Sequence, residues 1–137
     1  MRNNGAAAGK DFRMLRTFSL ATLVAFATPA AAQPIRAAVD LSNFKFTPSQ
    51  VELKADLPII LQLRNNSAGG HSFSAPAFFA AARVDPASAK SIREGRVEVP
   101  AHASVEIALT PASGRYPLNC SHTFHSTLGM KGMIIVH

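Results

Sequence analysis

The chain has 137 residues, of which 47% are apolar and 16% are charged, which is enough for one domain with its own core and too short for a multidomain enzyme. Its single cysteine, Cys120, excludes an intramolecular disulfide. The formal net charge is +6, but basic residues neither form a run nor alternate with aromatic ones, so we expect no nucleic-acid partner.

Residues 1–32 have the pattern of a secretory signal peptide. Basic residues precede an apolar stretch, Phe18–Phe26, and small residues follow it at 28–32. This pattern predicts cleavage after Ala32 and a periplasmic protein that does not contact the membrane once cleaved. The apolar stretch is shorter than the roughly 20 residues of a membrane span, although an uncleaved anchor is the alternative. Met14 is an alternative start.

Cleavage would leave residues 33–137 as the folded domain. The removed segment holds four of the 14 basic residues and one of the eight acidic ones, so the domain keeps ten and seven, a net charge of +3. A mildly basic domain favours an acidic partner. A lone thiol in an oxidising compartment is a liability unless something occupies it, and metal coordination would do so.

Short runs of β-type residues alternate with turns along this domain. In chain order, the predicted strands are Ile35–Phe46, Val51–Ala55, Pro58–Leu63, His71–Ala75, Val97–Val99, Val105–Leu109, Gly114–Leu118 and Met133–Val136. Residues 64–70 are rich in asparagine, serine and glycine, so we predict a turn there. Between Pro76 and Arg96 we expect an excursion with one or two short helices, the second capped at Asp85. The pattern predicts an all-β Greek-key fold, a β-sandwich or barrel.

Three potential metal ligands lie within the eleven residues from Cys120 to Met130. The three are Cys120, His125 and Met130, and His125 is five positions from each of the other two. A further histidine, His71, follows two glycines about fifty residues upstream. Two histidines and a cysteine with a weak axial methionine are the ligands of an electron-transfer copper site, because sulfur suits Cu(I) and nitrogen suits Cu(II). The sequence therefore predicts that His71, Cys120, His125 and Met130 bind one copper ion.

The segment from Cys120 to Met130 resembles the copper loop of cupredoxins, the family that includes plastocyanins, azurins and the type 1 domains of multicopper oxidases. The Gly129–Val136 tail and the front half of the domain, Phe44–Ala55, are also similar to that family. The resemblance implies a β-sandwich, one type 1 copper ion and a monomeric carrier of single electrons. Its partners would be redox proteins, such as a cytochrome or a copper oxidase or reductase.

Two features depart from the family pattern. Ser72 follows His71, where many cupredoxins have an asparagine that ties the two ligand loops together. Asn65, Asn66 and Asn119 are candidates to replace that bond. An additional histidine, His122, lies two positions after Cys120, where it would be either a competing ligand or a residue outside the ligand set.

Other functions are also compatible with parts of the sequence. A periplasmic copper chaperone or copper-homeostasis protein is the alternative, because a cluster preferring Cu(I) is available in Met130, Met133, His122 and His125. We expect no enzyme: Asn119 and Ser121 flank Cys120, where an oxidase would need histidines to feed a trinuclear cluster. We also expect His125 to be the ligand nearest the surface, within an apolar rim of Phe124, Leu128, Gly129 and Pro76.

Overall fold

The structure is a computed structural model, and it describes residues 33–123 and 128–137. These ranges contain ten strands: β1 Ile35–Ser42, β2 Lys45–Thr47, β3 Gln50–Leu53, β4 Ile59–Asn65, β5 His71–Ser74, β6 Arg83–Val84, β7 Arg96–Val99, β8 Ser104–Thr110, β9 Gly114–Asn119 and β10 Lys131–Val136. Two short helices, α1 Pro76–Ala81 and α2 Pro86–Ala89, interrupt the strand order after β5 and β6.

The strands form two five-stranded sheets. Sheet I has the order β2-β1-β4-β8-β6, and sheet II has the order β3-β10-β9-β5-β7. Most neighbours are antiparallel, whereas β1 pairs with β4 and β3 pairs with β10 in parallel. Because strands adjacent in sequence repeatedly change sheets, each sheet is assembled from distant parts of the chain. The predicted β-sandwich is confirmed.

The core lies between the sheets and follows from the alternation of apolar and polar residues along the strands. Strand β4 alternates buried and half-buried residues over its whole length, with Leu61 and Leu63 pointing inward. Sheet II contributes Phe73 and Ile134 to the same cluster. A chain of edge-on ring contacts runs through Phe46, Phe73, Phe79, Phe78 and Tyr116. This packing fixes the strand ends that carry the candidate site.

The predicted helical excursion is confirmed. Both helices begin with proline at the first or second position, which the sequence analysis predicted for the second helix only. The Asp85 side chain accepts a hydrogen bond of 2.9 Å from the backbone N–H of Ala87, which caps α2. Between the helices the chain makes one strand that we did not predict, Arg83–Val84, which pairs with β8.

Two predicted boundaries are wrong. The first apolar run divides into β1 and β2, because the chain turns at Phe44, where φ is 62°. The predicted turn at 64–70 begins later, because β4 continues through Arg64 and Asn65. Arg64 is held there by two hydrogen bonds, of 2.7 and 2.9 Å, to the Asp40 carboxylate on the neighbouring strand.

The predicted signal peptide, residues 1–32, lies outside the described residues. In the ranges that are described, no helix is long and apolar enough to cross a membrane.

Candidate metal centre

Three of the four predicted ligands meet at one end of sheet II. His71 begins β5, Cys120 follows the last residue of β9, and Met130 precedes the first residue of β10. Asn119, which precedes Cys120, pairs with Lys131, which follows Met130. The backbone N–H of Ser72, the residue after His71, lies 3.4 Å from the Cys120 sulfur. All three side chains are buried, with exposed fractions of 4%, 1% and 0%.

The loop between β9 and β10 is closed at its base. The backbone N–H of Cys120 donates a hydrogen bond of 3.1 Å to the carbonyl oxygen of Met130. The N–H of Lys131 donates at 2.8 Å to the carbonyl of Gly129, which turns the chain into β10. A backbone hydrogen bond therefore joins Cys120 and Met130 at the place where the chain leaves β9 and enters β10.

The Cys120 sulfur accepts hydrogen bonds from the residue next to His71. The backbone N–H of Ser72 lies 3.4 Å from Cys120 Sγ, and the Ser72 hydroxyl lies 3.7 Å from it. Both groups are buried. These hydrogen bonds hold the Cys120 sulfur beside the residue that follows His71.

Ser72 also joins the two ligand-bearing loops. Its Oγ accepts a hydrogen bond of 2.8 Å from the backbone N–H of Ser121 and lies 2.8 Å from Ser121 Oγ. We expected an asparagine to replace the missing family residue, but Asn66 and Asn119 are exposed, and the Asn65 side chain bonds to Ser67 and to the carbonyls of Gly69, Val99 and Pro100. The smaller Ser72 makes the link itself, because the loops approach closely enough for a hydroxyl to span them.

His71 is held from the opposite side by a residue that the sequence analysis missed. Its Nε2 lies 2.9 Å from Ser67 Oγ, and that hydroxyl lies 2.7 Å from Asn65 Oδ1. The Asn-x-Ser spacing of residues 65–67 is the sequence feature that could have indicated an ordered Ser67, because an asparagine side chain commonly bonds to the backbone two residues later. Here the Ser67 N–H donates to Asn65 Oδ1 at 2.9 Å.

His122 connects the Cys120 loop to the edge of sheet II. Its Nε2 lies 2.8 Å from a carboxylate oxygen of Glu98 on β7. Gly70 lies beside the same ring, because a Cβ there would be 3.6 Å from His122 Cε1. One ring nitrogen of His122 is therefore engaged with β7 rather than directed toward Cys120.

The fourth predicted ligand, His125, lies outside the described residues, as does Phe124 of the predicted rim. Within residues 33–123 and 128–137, no three histidine, cysteine, aspartate or glutamate side chains form a group that could hold a metal ion. Of the four predicted ligands, only His71 and Cys120 are of these residue types and lie within the described ranges. The assignment of all four ligands therefore stays a prediction.

Comparison with known proteins identifies the fold family. Residues 15–136 match the family model described as a cupredoxin-like domain. The chain belongs to the cupredoxin family. No curated protein sequence matches this cupredoxin significantly.

Solved structures with the same fold include three auracyanins. Reduced auracyanin from the photosynthetic bacterium Roseiflexus castenholzii has 16% identity and a TM-score of 0.56, over 77% of this chain and 99% of its own. Auracyanin B has 21% identity and a TM-score of 0.56, over 79% and 93%. Auracyanin A from Chloroflexus aurantiacus, described as a "blue" copper protein, has 21% identity and a TM-score of 0.53, over 77% and 100%. These likenesses confirm the cupredoxin fold.

The surface of this cupredoxin beside the candidate site is apolar. Leu128 is 61% exposed and Phe44 is 41% exposed. Gly129, the residue after Leu128, lies close to the backbone of Phe44, because a Cβ on Gly129 would be 3.9 Å from the Phe44 carbonyl oxygen. We call Phe44, Leu128 and Gly129 the apolar rim. Phe44 was not expected there, and Pro76, which was, lies against Gly95.

Proposed function

We propose that this cupredoxin binds one type 1 copper ion through His71, Cys120, His125 and Met130, and carries single electrons between redox proteins. The observation that carries the proposal is the environment of Cys120. Its buried sulfur accepts hydrogen bonds from Ser72, the residue that follows His71, and its backbone is bonded to Met130. This setting holds a sulfur donor next to the strand that begins with His71.

The described donors fit copper. Cysteine and methionine sulfur with imidazole nitrogen is the set that suits both oxidation states. The side chains of His71, Cys120 and Met130 are buried, and each residue begins or adjoins a strand of sheet II. Burial limits the access of water, and the hydrophobic surroundings of such a site influence its reduction potential.

The chain's own residues would keep the ligands in place during a change of charge. Bound copper supplies the redox couple, since it takes up one electron as Cu(II) and releases it as Cu(I). Ser72 stabilises negative charge on the Cys120 sulfur through two hydrogen bonds. Because strands β5, β9 and β10 fix the ligand backbones, little of the protein has to move on electron transfer.

The remaining parts of the proposal rest on the sequence. Residues 1–32 support export to the periplasm with cleavage after Ala32. Asn119 and Ser121 flank Cys120, so that the histidines of a trinuclear oxidase cluster are absent from both sides, and we assign the chain no catalytic activity. We further propose that it acts as a monomer.

The apolar rim supports a redox protein as the partner. An exposed leucine and phenylalanine beside a buried metal site offer a surface for a short-lived contact. Transient redox interfaces are small and tolerate rapid release. The domain's net charge of +3 favours a partner with an acidic surface around its contact area.

A redox titration tests the carrier role against the chaperone alternative. The purified protein is loaded with copper, and its visible band is followed while the potential is stepped in both directions with mediators. A carrier gives reversible one-electron bleaching and recovery with copper retained. A chaperone that prefers Cu(I) gives a colourless protein, or loses copper on oxidation.

A matched pair of histidine variants tests the ligand set. His125→Ala should abolish the visible band, because one equatorial ligand is lost. His122→Ala should keep it, because His122 Nε2 is engaged with Glu98. The reverse result would move the ligand assignment to His122.

A further inference from the structure

Two arginines face each other across the turn that leads into β7. The backbone N–H groups of Arg93 and Arg96 each donate to the other's carbonyl oxygen, at 2.9 and 3.0 Å, and close a turn of Glu94 and Gly95. In such a hydrogen-bonded pair the two side chains leave the same face of the hairpin, with Cα atoms about 5.5 Å apart. Like charges at directly opposite positions repel each other. The turn therefore places two guanidinium groups together at a cost in stability.

The backbone of this turn does not let the two arginines separate. Glu94 and Gly95 both have positive φ, 51° and 73°, as the tightest hairpin turns require. Gly95 also packs against the first residue of α1, because a Cβ on it would collide with Pro76. The positions of Arg93 and Arg96 are thus fixed by the fold.

The arginines line a cleft between the two sheets. Its volume is about 240 Å³, and its walls come from the segment after α2, from β7 and from β8: Lys90, Ser91, Arg93, Arg96, Glu98 and Val105. Arg96 belongs to β7 of sheet II, whereas Val105 belongs to β8 of sheet I. Lys90 ends α2, so that a third cation reaches the same cleft. A concave surface with three positive charges is suited to a negatively charged ligand.

The carboxylates near the cleft do not neutralise it. One oxygen of Glu98 lies 2.8 Å from His122 Nε2, and the other lies 3.6 Å from Arg96 Nε. Glu94 lies 3.7 Å from the Arg96 guanidinium, and its side chain is 83% exposed. Both carboxylates are therefore associated with one of the three cations. The other two form no ion pair within the described ranges of the chain.

We propose that this cleft is a binding site for a small oxyanion of the size and charge of phosphate. Arg93 and Arg96 each offer a planar fork of N–H donors that matches two oxygens of such an ion, and Lys90 adds a third positive charge. The Ser91 hydroxyl can donate a further hydrogen bond. An anion between the guanidinium groups removes their repulsion and joins the segment after α2 to β7. The site goes beyond the proposed electron carrier and requires no copper.

Phosphate titration of the ¹⁵N-arginine-labelled protein tests the proposal by NMR. The metal-free protein is used, so that phosphate has no metal to bind, and sodium chloride keeps the ionic strength constant. We expect the Nε–H signals of Arg93 and Arg96 to shift saturably, while the signal of exposed Arg83 on β6 stays in place. Phosphate should also raise the temperature of unfolding relative to chloride, because it binds the folded state.

A matched pair of variants locates the site. Arg93→Gln removes one guanidinium and also the repulsion, so the fold should persist while the affinity for phosphate falls about 10-fold. Arg83→Gln removes the same charge outside the cleft, on an edge strand of sheet I. This control should change the affinity less than about 2-fold, because salt screens a distant exposed charge.

Shifts that do not saturate with phosphate would overturn the proposal, and so would an Arg83→Gln variant that weakens binding as much as Arg93→Gln does. Either result would mean that phosphate only screens the positive charge of the whole domain. The copper spectrum takes no part in this test, so failure of the anion site and failure of the proposed function are distinguishable.

Discussion

Sheet II carries the candidate site at the ends of β5, β9 and β10, whereas sheet I contributes mainly to the core and carries ion pairs between its strands. Asp40 and Arg64 are joined across β1 and β4, and Arg36 and Glu106 across the same face of sheet I. In the described parts of the chain, sheet I reaches the site through Asn65 at the end of β4. Substitutions in the two sheets should therefore have separable effects.

The two sheets also differ in the types of residue that they bury. The buried residues of sheet I, such as Leu61, are apolar except for Asn65 at the end of β4. At the end of sheet II, buried residues include His71, Ser72 and Cys120, which a core built only for stability would not need. Each is hydrogen-bonded, so that the polar groups are not left unsatisfied.

Cys120→Ser should show the largest difference between the effect on copper binding and the effect on stability. A hydroxyl is a hard donor that does not replace a soft thiolate, so the visible band and most of the copper affinity should disappear. The metal-free protein should unfold at nearly the same temperature as the unsubstituted one, because the change is nearly isosteric. Thermal unfolding without metal checks this, and a large loss of stability would show that Cys120 serves the core.

Leu61→Ala is the complementary change in sheet I. Removing a fully buried leucine from β4 should lower the free energy of unfolding by about 2–5 kcal/mol. The copper spectrum of the protein that stays folded should be unchanged. Gln62→Ala, on the other face of the same strand, is the control and should cost less than about 0.5 kcal/mol by denaturant unfolding.

Ser72→Ala should have a smaller effect, measured as a change in the reduction potential, and it also removes the acceptor of the Ser121 N–H. It removes one hydrogen bond to the Cys120 sulfur and keeps the backbone N–H, so the reduced state loses stabilisation. With a difference of about 1 kcal/mol, the reduction potential should fall by ~40 mV for one electron. Ser74→Ala, two residues further along β5, is the matched control. A rise in potential after Ser72→Ala would contradict the assigned role.

Leu128→Lys should leave the site itself unchanged. The side chain is exposed and lies in the apolar rim, so the visible spectrum and the stability should stay as they are. Electron exchange with a redox partner should slow several-fold, because a charge is placed in the apolar contact area. The same substitution at exposed Leu57 is the control, and an equal slowing there would argue against docking at the rim.

Much of the fold was predictable from the sequence, because alternation along β3 and β8 and the apolar run of β4 are local signals. The Asp85 cap was predictable for the same reason. The break at Phe44 was not, since a positive φ at a phenylalanine is imposed by tertiary contacts. The sequence analysis assigned Arg64 to a turn, because its hydrogen bonds to Asp40 on the neighbouring strand are known only from the structure.

The ligand set is still a prediction from the sequence, whereas the residues that support His71 and Cys120 are seen only in the structure. The spacing of Cys120, His125 and Met130 predicts copper because the ligand types are specific. The roles of Ser67 and Ser72 depend on which strands become neighbours, and serine is too common for its position to indicate them. His125 lies outside the described residues, so its place in the set is still a prediction from sequence.

The absorption and electron paramagnetic resonance spectra of the purified Cu(II)-loaded protein test the central claim most directly. We expect one copper per chain, an intense visible band from the Cys120 thiolate, and a small copper hyperfine splitting. Both features should vanish in Cys120→Ser. A colourless protein, or one whose copper gives an ordinary tetragonal spectrum that Cys120→Ser leaves unchanged, would contradict the account.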